Sequence, residues 1–227
     1  MMKRTIDLIG SSILIVLLAP VLLTIGVAVI VFLGRPVLFR QVRPGLRGKP
    51  FTLLKFRTMK DAVDRNGVPL PDEERMTGLG RFLRSTSLDE LPELFNVLQG
   101  EMSFVGPRPL LMDYLKYYTA EEQRRHDVRP GITGWAQVNG RNRIDWDRRF
   151  RLDVWYVDNQ SYWLDLKILA MTFWKVFLRE DIAAEGHVTM PAFDGRPAAK
   201  MESPSETKKP STQTDLHAVA NTPHLNK

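Results

Sequence analysis

Two adjacent carboxylates, Asp89 and Glu90, stand in the run SLDELPEL of a chain of 227 residues, and Arg108 follows between two prolines. A neighbouring acid pair offers one carboxylate that attacks or binds a metal and a second that manages charge or protons. A guanidinium held between prolines suits a phosphate group. These residue types predict phosphate chemistry, in which an ionised Asp89 can attack phosphorus.

The acid pair comes just before a predicted helix. Apolar residues recur with helical spacing at positions 91, 94, 95 and 98, and Gly100 fits a C-terminal cap. The positive end of a helix stabilises an ionised carboxylate and can hold a phosphate. The same run also fits a capping box, in which Glu90 only returns a hydrogen bond to the backbone of Ser87. From these residues alone both interpretations stay open.

Several other charged residues are candidates for the same site. Lys55 and Arg57 share one face of a strand predicted over residues 51–57, and Arg84 follows later. A single basic residue is usually just solvated, so each of these is weak evidence alone. Asp165 fits a helix N-cap as well as it fits an active site. It is their joint pattern that favours a site for an anionic substrate.

The composition limits the kind of site. The chain has no cysteine and only four scattered histidines, so any metal would be held by oxygen ligands. The formal net charge of +6 suits nucleic acid, anionic lipid or an anionic substrate. No nucleic-acid motif is present, so we expect no nucleic-acid partner. Basic residues are concentrated after the apolar segment, where they attract anionic lipid or keep that side in the cytoplasm: Arg35, Arg40, Arg43, Arg47, Lys49, Lys55, Arg57 and Lys60.

Residues 8–33 carry no charged side chain. A helix of this length, rising ~1.5 Å per residue, exceeds a hydrocarbon core of ~30 Å. Pro20 lies near its midpoint and removes one helical hydrogen bond. Basic residues flank both ends, so the positive-inside rule favours neither orientation. Two topologies stay open: a kinked spanning helix, and a re-entrant helix-break-helix that enters and leaves on one face.

The predicted fold class is α+β and mainly helical. We expect a membrane-embedded helix-break-helix over residues 1–36, a small cytoplasmic catalytic domain over 37–193 and a disordered tail over 194–227, which is rich in Pro, Ser, Thr and Lys. Between these bounds the pattern predicts a surface loop over 61–76 and helices over 114–125, 147–158 and 164–178. The last helix is apolar nearly all round, which fits a buried helix or, as we favour, one at the membrane interface.

Four segments resemble the bacterial sugar transferase family in order and in spacing. They are KFRTM at 55–59, SLDELP at 87–92, SFVGPRPLL at 103–111 and RPGITGWAQVNG at 129–140. The similarity runs from about residue 3 to residue 193, and the small members of this family are monotopic phosphoglycosyl transferases. The run EGHVT at 185–189 is similar to the bacillosamine-phosphate transferases of bacterial protein N-glycosylation. Exopolysaccharide-initiating sugar transferases are similar too.

The resemblance implies transfer of a sugar 1-phosphate from a UDP-sugar to undecaprenyl phosphate, with release of UMP and a requirement for Mg²⁺. Asp89 matches the family nucleophile, which forms a covalent aspartyl-phosphosugar intermediate. Glu90 matches the essential glutamate beside it, and we expect both carboxylates to hold the metal. Residues at phosphate-binding and other active-site positions of the family are matched by Lys55, Arg84, Arg108 and Asp165.

The resemblance also implies a location and partners. We expect the bacterial inner membrane, a domain that faces the cytoplasm, contact with membrane lipid, and downstream glycosyltransferases that extend an exopolysaccharide, O-antigen or glycoprotein glycan. The family often breaks its membrane helix at Ser-Pro, whereas this chain has Ala19 before Pro20. Two other hypotheses stay open. One is a membrane-bound, magnesium-dependent diphosphate hydrolase, because water can release an aspartyl intermediate. The other is a non-catalytic basic membrane adaptor.

Overall fold

The computed structural model describes residues 2–140, 144–178 and 193. In these residues the helices are α1 (Met2–Leu33), α2 (Asp72–Arg75), α3 (Gly78–Ser85), α4 (Glu93–Gln99), α5 (Ala120–Gln123), α6 (Trp135–Val138), α7 (Trp146–Asn159) and α8 (Tyr162–Leu178). The strands are β1 (Leu38–Pro44), β2 (Pro50–Phe56), β3 (Ser103–Val105) and β4 (Gly131–Thr133). The fold is therefore α+β and mainly helical, as predicted. The predicted tail over 194–227 and the run at 185–189 lie outside the described residues.

The apolar segment forms one continuous helix, α1, with Pro20 inside it. α1 therefore has no break at Pro20, where the sequence predicted a helix-break-helix. Proline removes only one N–H donor, and nearby hydroxyls can compensate the backbone in an apolar helix. The hydroxyls of Ser11 and Ser12 donate to the carbonyl of Leu8, and Thr24 donates to the carbonyl of Pro20. The helix is long and apolar enough to cross a membrane, and only 11% of its most apolar 18-residue stretch is buried.

Both ends of α1 pack on the rest of the described fold. Its buried residues are Asp7 and Ser11 near the start and Ile25 and Val29 near the end. Asp7 and Ile25 are about five turns apart at ~3.6 residues per turn, so they lie on one face of the helix. The middle of the helix is exposed, and Val16 keeps 76% of its surface accessible. The helix therefore presents an uncovered apolar centre between two anchored ends.

The second anchor lies where α1 meets the hairpin of β1 and β2. These strands pair antiparallel, with Phe39 opposite Lys55 and Arg43 opposite Phe51, which confirms the extended structure predicted here. Arg57 follows β2 and donates to the carbonyls of Leu33, Gly34 and Arg35 at the end of α1. Arg57 therefore caps the membrane helix, while Lys55 on β2 is left to join another group.

The second sheet brings two sequence motifs into contact. β3 and β4 are parallel, with Ser103 opposite Gly131 and Val105 opposite Thr133. A Cβ atom on Gly131 would lie 2.1 Å from the backbone N of Gly106, so only glycine permits this approach. The GPRP turn after β3 is thus packed against the PGITG loop, which fixes the direction of Arg108.

The helices after these motifs differ in how well the sequence predicted them. The helix predicted over 114–125 is wrong: 3₁₀ turns occupy Met112–Tyr117 and Arg124–His126, with α5 between them. The reason is Thr119, which forms a capping box with Glu122 and so starts a new helix in the middle of the predicted one. The predicted helix over 147–158 is confirmed as α7. The loop predicted over 61–76 contains the short helix α2.

α8 has one buried face and one exposed apolar face. Ile168 is fully buried in a cluster with Val105 and Tyr156. On other faces Trp163 and Phe173 are 81% and 72% exposed. A helix buried all round would not show such large exposed aromatic side chains, whereas a helix at a membrane interface would. The pattern therefore favours the interface interpretation.

Candidate active site

Five of the six predicted site residues come together from four different parts of the fold. Asp89 and Glu90 lie in the 3₁₀ turn Leu88–Glu90 that leads into α4. Lys55 comes from β2, Arg108 from the turn after β3 and Arg84 from α3. β2 and α4 are joined by the buried Asn96, whose side chain accepts from the N–H of Leu54 and donates to the carbonyl of Thr52. This join places Lys55 beside the acid pair.

Glu90 is held by two cations. Its Oε1 accepts from Nζ of Lys55 at 2.5 Å and from Nη2 of Arg108 at 2.8 Å. Burial alone would raise the pKa of Glu90, but Arg108 and Lys55 outweigh burial and hold that pKa well below its usual range. The capping-box interpretation is wrong, because Ser87 is in the left-handed region with φ 57° and its side chain makes no cap hydrogen bond.

Asp89 is in the opposite situation. It is only 8% exposed, and its carboxylate makes no hydrogen bond or ion pair with any residue that the structure describes. Burial and then the charge of Glu90 raise the pKa of Asp89 to about 6, against the opposing effect of Lys55, Arg108 and Arg84. Asp89 is therefore a carboxylate with unused lone pairs, close to cations that are engaged elsewhere.

Arg84 owes its place to a glycine contact. A Cβ atom on Gly80 would lie 1.9 Å from the carbonyl oxygen of Thr58, so α3 can pack this closely only because residue 80 is glycine. Arg84 then donates from Nε to Oγ1 of Thr58 at 3.1 Å. Its charge lowers the pKa of Asp89. Among the described residues, Arg84 thus has no carboxylate partner, although its charge acts on Asp89.

A third carboxylate, Glu93, belongs to the same cluster and was not among the predicted site residues. It is 2% exposed and lies 3.2 Å from Nζ of Lys55. Burial and then Glu90 raise the pKa of Glu93 to about 7. Glu93 could have been found in the sequence from its position three residues after Glu90, which places both side chains on one face of a helix. Lys55 therefore bridges two carboxylates.

Arg108 is fixed from behind by a buried ion pair that sequence reasoning missed. Nη2 of Arg125 donates to the carbonyl of Arg108 at 2.7 Å and to Oδ2 of Asp153 at 2.7 Å. Arg125 and Asp153 are each 2% exposed. A buried charge must be paired, so neither partner can be lost cheaply. No sequence signal links positions 125 and 153, because the pair forms only when α7 packs beside the turn Arg124–His126.

A second arginine, Arg43, faces Arg108 and was also missed as a site residue. It donates from Nη2 to Oε1 of Gln41 at 2.6 Å and from Nη1 to the carbonyl of Pro109 at 3.4 Å. Burial and then the charge of Arg108 lower the pKa of Arg43 to about 10. The sequence showed Arg43 only as one member of a basic cluster beside the membrane segment.

Asp165 lies in a different cluster. It forms an ion pair with Lys3 at the start of α1, and the hydroxyl of Tyr156 donates to its Oδ1 at 2.7 Å. The N-cap interpretation of Asp165 is wrong, since Ser161 caps α8 by accepting from the N–H of Leu164. Burial and then Asp165 raise the pKa of Tyr156, which keeps this hydroxyl protonated. Among the described residues, the contacts of Asp165 thus join α1, α7 and α8.

The site places the buried carboxylate of Asp89 among the cations Lys55, Arg84 and Arg108, an arrangement that suits a phosphate substrate. Residues 1–179 match the family described as bacterial sugar transferase, so the chain belongs to that family. It is similar to the uncharacterized sugar transferase EpsL of Bacillus subtilis, with 56% identity over 194 residues that cover 86% of this chain and 96% of the relative.

Two further relatives have names that state a reaction. The UDP-glucose:undecaprenyl-phosphate glucose-1-phosphate transferase of Klebsiella pneumoniae is 45% identical over 188 residues, which cover 78% of this chain and 40% of that protein. The undecaprenyl-phosphate galactose phosphotransferase of Salmonella typhimurium is 39% identical over 197 residues, which cover 79% of this chain and 41% of that protein. The chain thus spans well under half the length of both these relatives. The family match makes the chain a bacterial sugar transferase, and these two relatives are named for transfer to undecaprenyl phosphate.

Proposed function

We propose that the protein transfers a sugar 1-phosphate from a UDP-sugar to undecaprenyl phosphate and releases UMP, through a covalent intermediate on Asp89. The observation that carries this proposal is the carboxylate of Asp89, which has no partner among the described residues, beside a Glu90 that is held by Lys55 and Arg108. The names of the relatives support the two substrates, since they state undecaprenyl phosphate as the carrier and UDP-glucose as one donor.

The first chemical step uses Asp89 as the nucleophile. A carboxylate oxygen forms a bond to the phosphorus that carries the sugar, and the bond from that phosphorus to the oxygen of UMP breaks, so UMP leaves with the electron pair. In the second step a phosphate oxygen of undecaprenyl phosphate attacks the same phosphorus. This attack releases the carboxylate of Asp89 and yields a sugar linked to the carrier by a diphosphate. Positive charge from Lys55, Arg84 and Arg108 stabilises the phosphoryl oxygens in both steps.

Magnesium fits these residues, and Asp89 with Glu90 would hold it. Mg²⁺ is usually bound by one or two carboxylates together with substrate phosphates rather than by an all-protein cage. The described residues contain no group of three or more His, Cys, Asp or Glu that could form such a cage. When bound, the ion would neutralise charge on the diphosphate. Glu90 still has one carboxylate oxygen outside the bonds to Lys55 and Arg108.

The anchoring of α1 supports a re-entrant membrane topology, in which the continuous helix would bend at Pro20 rather than break. Arg4 donates to the carbonyls of Val97 and Leu98 near the start of α1, while Ile25 and Val29 pack against Phe56 near its end. A spanning helix would place its two ends on opposite faces of the bilayer, yet both ends of α1 contact the same fold. We place this fold on the cytoplasmic face of the inner membrane, where UDP-sugars are available.

Topology can be tested directly because the chain has no native cysteine. Single variants Met2→Cys and Arg40→Cys are labelled in sealed vesicles with a reagent that does not cross the bilayer. We expect the two positions to label from the same face. Labelling from opposite faces would show that α1 spans the membrane.

The reaction is tested by supplying UDP-sugar and Mg²⁺ to the purified full chain in lipid nanodiscs. With donor alone we expect one equivalent of UMP and a mass increase equal to one sugar phosphate, both absent in Asp89→Asn. Sustained UMP release should begin only after undecaprenyl phosphate is added. Continuous UMP release without acceptor would indicate a diphosphate hydrolase instead. A panel of UDP-sugars in this assay identifies the donor, and with it the glycan that downstream glycosyltransferases extend.

A further inference from the structure

Two arginines from distant parts of the chain meet beside the site. Arg43 lies on β1 and Arg108 in the turn after β3. Nη1 of Arg43 donates at 3.4 Å to the carbonyl of Pro109, the residue that follows Arg108. Burial and then the charge of Arg108 lower the pKa of Arg43 to about 10. Like charges that are brought together away from water are unfavourable unless an anion joins them. The arrangement therefore favours a negatively charged ligand beside Arg43.

Arg43 differs from Arg108 and Arg125 in its partners. Arg108 pairs with Glu90 at 2.8 Å, and Arg125 pairs with Asp153 at 2.7 Å. Within the part of the chain that the structure describes, Arg43 has no carboxylate partner and uses only the side chain of Gln41 and a backbone carbonyl. Its buried Nε–H has no acceptor there. Arg43 therefore keeps unused charge and unused donors, which are the features that bind a phosphate.

The contacts around Arg108 indicate where this phosphate would lie. Nη2 of Arg108 donates at 2.8 Å to Glu90, the neighbour of Asp89, and the carbonyl of the next residue, Pro109, accepts from Arg43. Arg108 is therefore joined to the acid pair on one side and to Arg43 on the other, as it would be if it contacted two neighbouring phosphates. A UDP-sugar presents two such phosphates, one attacked by the nucleophile and one that leaves with the nucleotide.

We propose that Arg43, together with Arg108, forms a second phosphate subsite and binds the phosphate of the departing nucleotide. This deepens the proposed transfer reaction and rests on it. Negative charge grows on that phosphate as its bond to the attacked phosphorus breaks, so a fixed guanidinium stabilises the leaving group. Gln41 orients the guanidinium by accepting from Nη2. Arg43 would then contribute to donor binding and to the first chemical step, and not to binding of the lipid acceptor.

The test compares Arg43→Gln and Arg43→Lys with a charge-matched control, Arg65→Gln, in the exposed loop before α2. Binding of UMP is measured by calorimetry on the full chain in nanodiscs, and KM is measured separately for UDP-sugar and for undecaprenyl phosphate. We expect Arg43→Gln to weaken UMP binding and to raise the donor KM by about 10-fold or more, with the acceptor KM within about twofold. Arg43→Lys should lose less, and Arg65→Gln should match the wild type.

Unchanged UMP affinity in Arg43→Gln overturns the proposal. A rise in the acceptor KM alone also overturns the assignment to the nucleotide and gives the subsite to the lipid phosphate. The thermal unfolding midpoint of each variant separates loss of the subsite from loss of the fold, with Arg43→Lys as the variant that keeps the charge. Because UMP binding needs no turnover, a wild type that binds UMP without transferring sugar phosphate would refute the proposed function and leave the subsite standing.

Discussion

Two aspartates with basic neighbours, Asp89 and Asp165, occupy opposite states in this molecule. Asp165 has its carboxylate bound by Lys3 and by the hydroxyl of Tyr156. Asp89 has neither a hydrogen bond nor an ion pair with the described residues, although three cations act on it. A carboxylate that already has partners must break those bonds before it attacks, whereas a free one does not. Basic neighbours alone therefore do not mark a nucleophile.

Glu90 explains how Asp89 stays free. Lys55 and Arg108 would otherwise pair with Asp89, but both donate to Oε1 of Glu90. Their charge still reaches Asp89 and lowers its pKa from the value that burial alone would produce. In the proposed reaction, the glutamate of the pair thus holds the cations in place for a phosphate and keeps them away from Asp89. This gives Glu90 a role that does not depend on whether it also contacts Mg²⁺.

The Asp165 cluster, by contrast, ties the membrane helix to the segments that carry the site. Tyr156 lies 3.1 Å from the carbonyl oxygen of Val105, which precedes the Arg108 turn. Asp7 of α1 accepts from the hydroxyl of Ser103 and from the N–H of Phe104 on the same strand. These contacts support a positioning role for Asp165 rather than direct contact with substrate.

The largest expected effect separates the two aspartates by activity. Asp89→Asn should reduce UMP release by at least about 10³-fold, because the amide oxygen cannot form the acyl-phosphate bond. Its unfolding midpoint at pH 8 should not fall, since burial disfavours the ionised carboxylate that the substitution removes. The two measurements are a single-turnover UMP assay and thermal unfolding of the same preparation. Residual activity within tenfold of the wild type would exclude Asp89 as the nucleophile.

The second-largest expected effect tests whether Glu90 holds Lys55 and Arg108 away from Asp89. Glu90→Gln removes the charge that raises the pKa of Asp89 and frees Lys55 and Arg108 to pair with it. We therefore expect a loss of about 10²-fold or more in UMP release, and an acidic limb of the residual pH profile that moves to lower pH. A pH profile with an unshifted limb would contradict this role. Glu73→Gln, at an exposed position in α2, is the matched control.

Breaking the second cluster should cost less activity. Asp165→Asn and Lys3→Met each remove one partner of a half-buried ion pair, and we expect UMP release to fall by about tenfold or less, with a lower unfolding midpoint. The double variant should resemble either single one, because the two residues act through one contact. Loss of activity in Asp165→Asn as complete as in Asp89→Asn, with Lys3→Met fully active, would show that Asp165 contacts substrate.

The same contrast shows which parts the sequence could predict. Helix caps depend on neighbouring residues and can be predicted from the sequence. Gly100, with φ 86°, is the C-terminal cap of α4, and Asp145 is the N-terminal cap of α7. Contacts between distant segments could not be predicted, because no spacing rule links Lys3 with Asp165 or Arg125 with Asp153. The family resemblance supplied Asp165 as a candidate, but it carried no information on which partners saturate that carboxylate. Glu93 and Arg43 were visible only as members of a helix face and of a basic cluster.

The pH dependence of the wild type is the mildest perturbation, because no residue is changed, and it tests the free state of Asp89 most directly. The folded protein raises the pKa of this carboxyl to about 6, so the attacking anion is depleted below that pH. UMP release in the first turnover should rise about tenfold per pH unit up to pH 6 and level off above it.

The contribution of Asp89 to the stability of the fold changes with pH in the opposite direction. A carboxyl whose pKa is raised on folding stabilises the protonated protein, and that contribution is lost as pH rises from the unfolded value near 4 through 6. The difference in unfolding free energy between wild type and Asp89→Asn should therefore shift against the wild type over this interval. An acidic limb near pH 4 in the first turnover would mean that Asp89 is paired like Asp165, and the contrast between the two aspartates would fail.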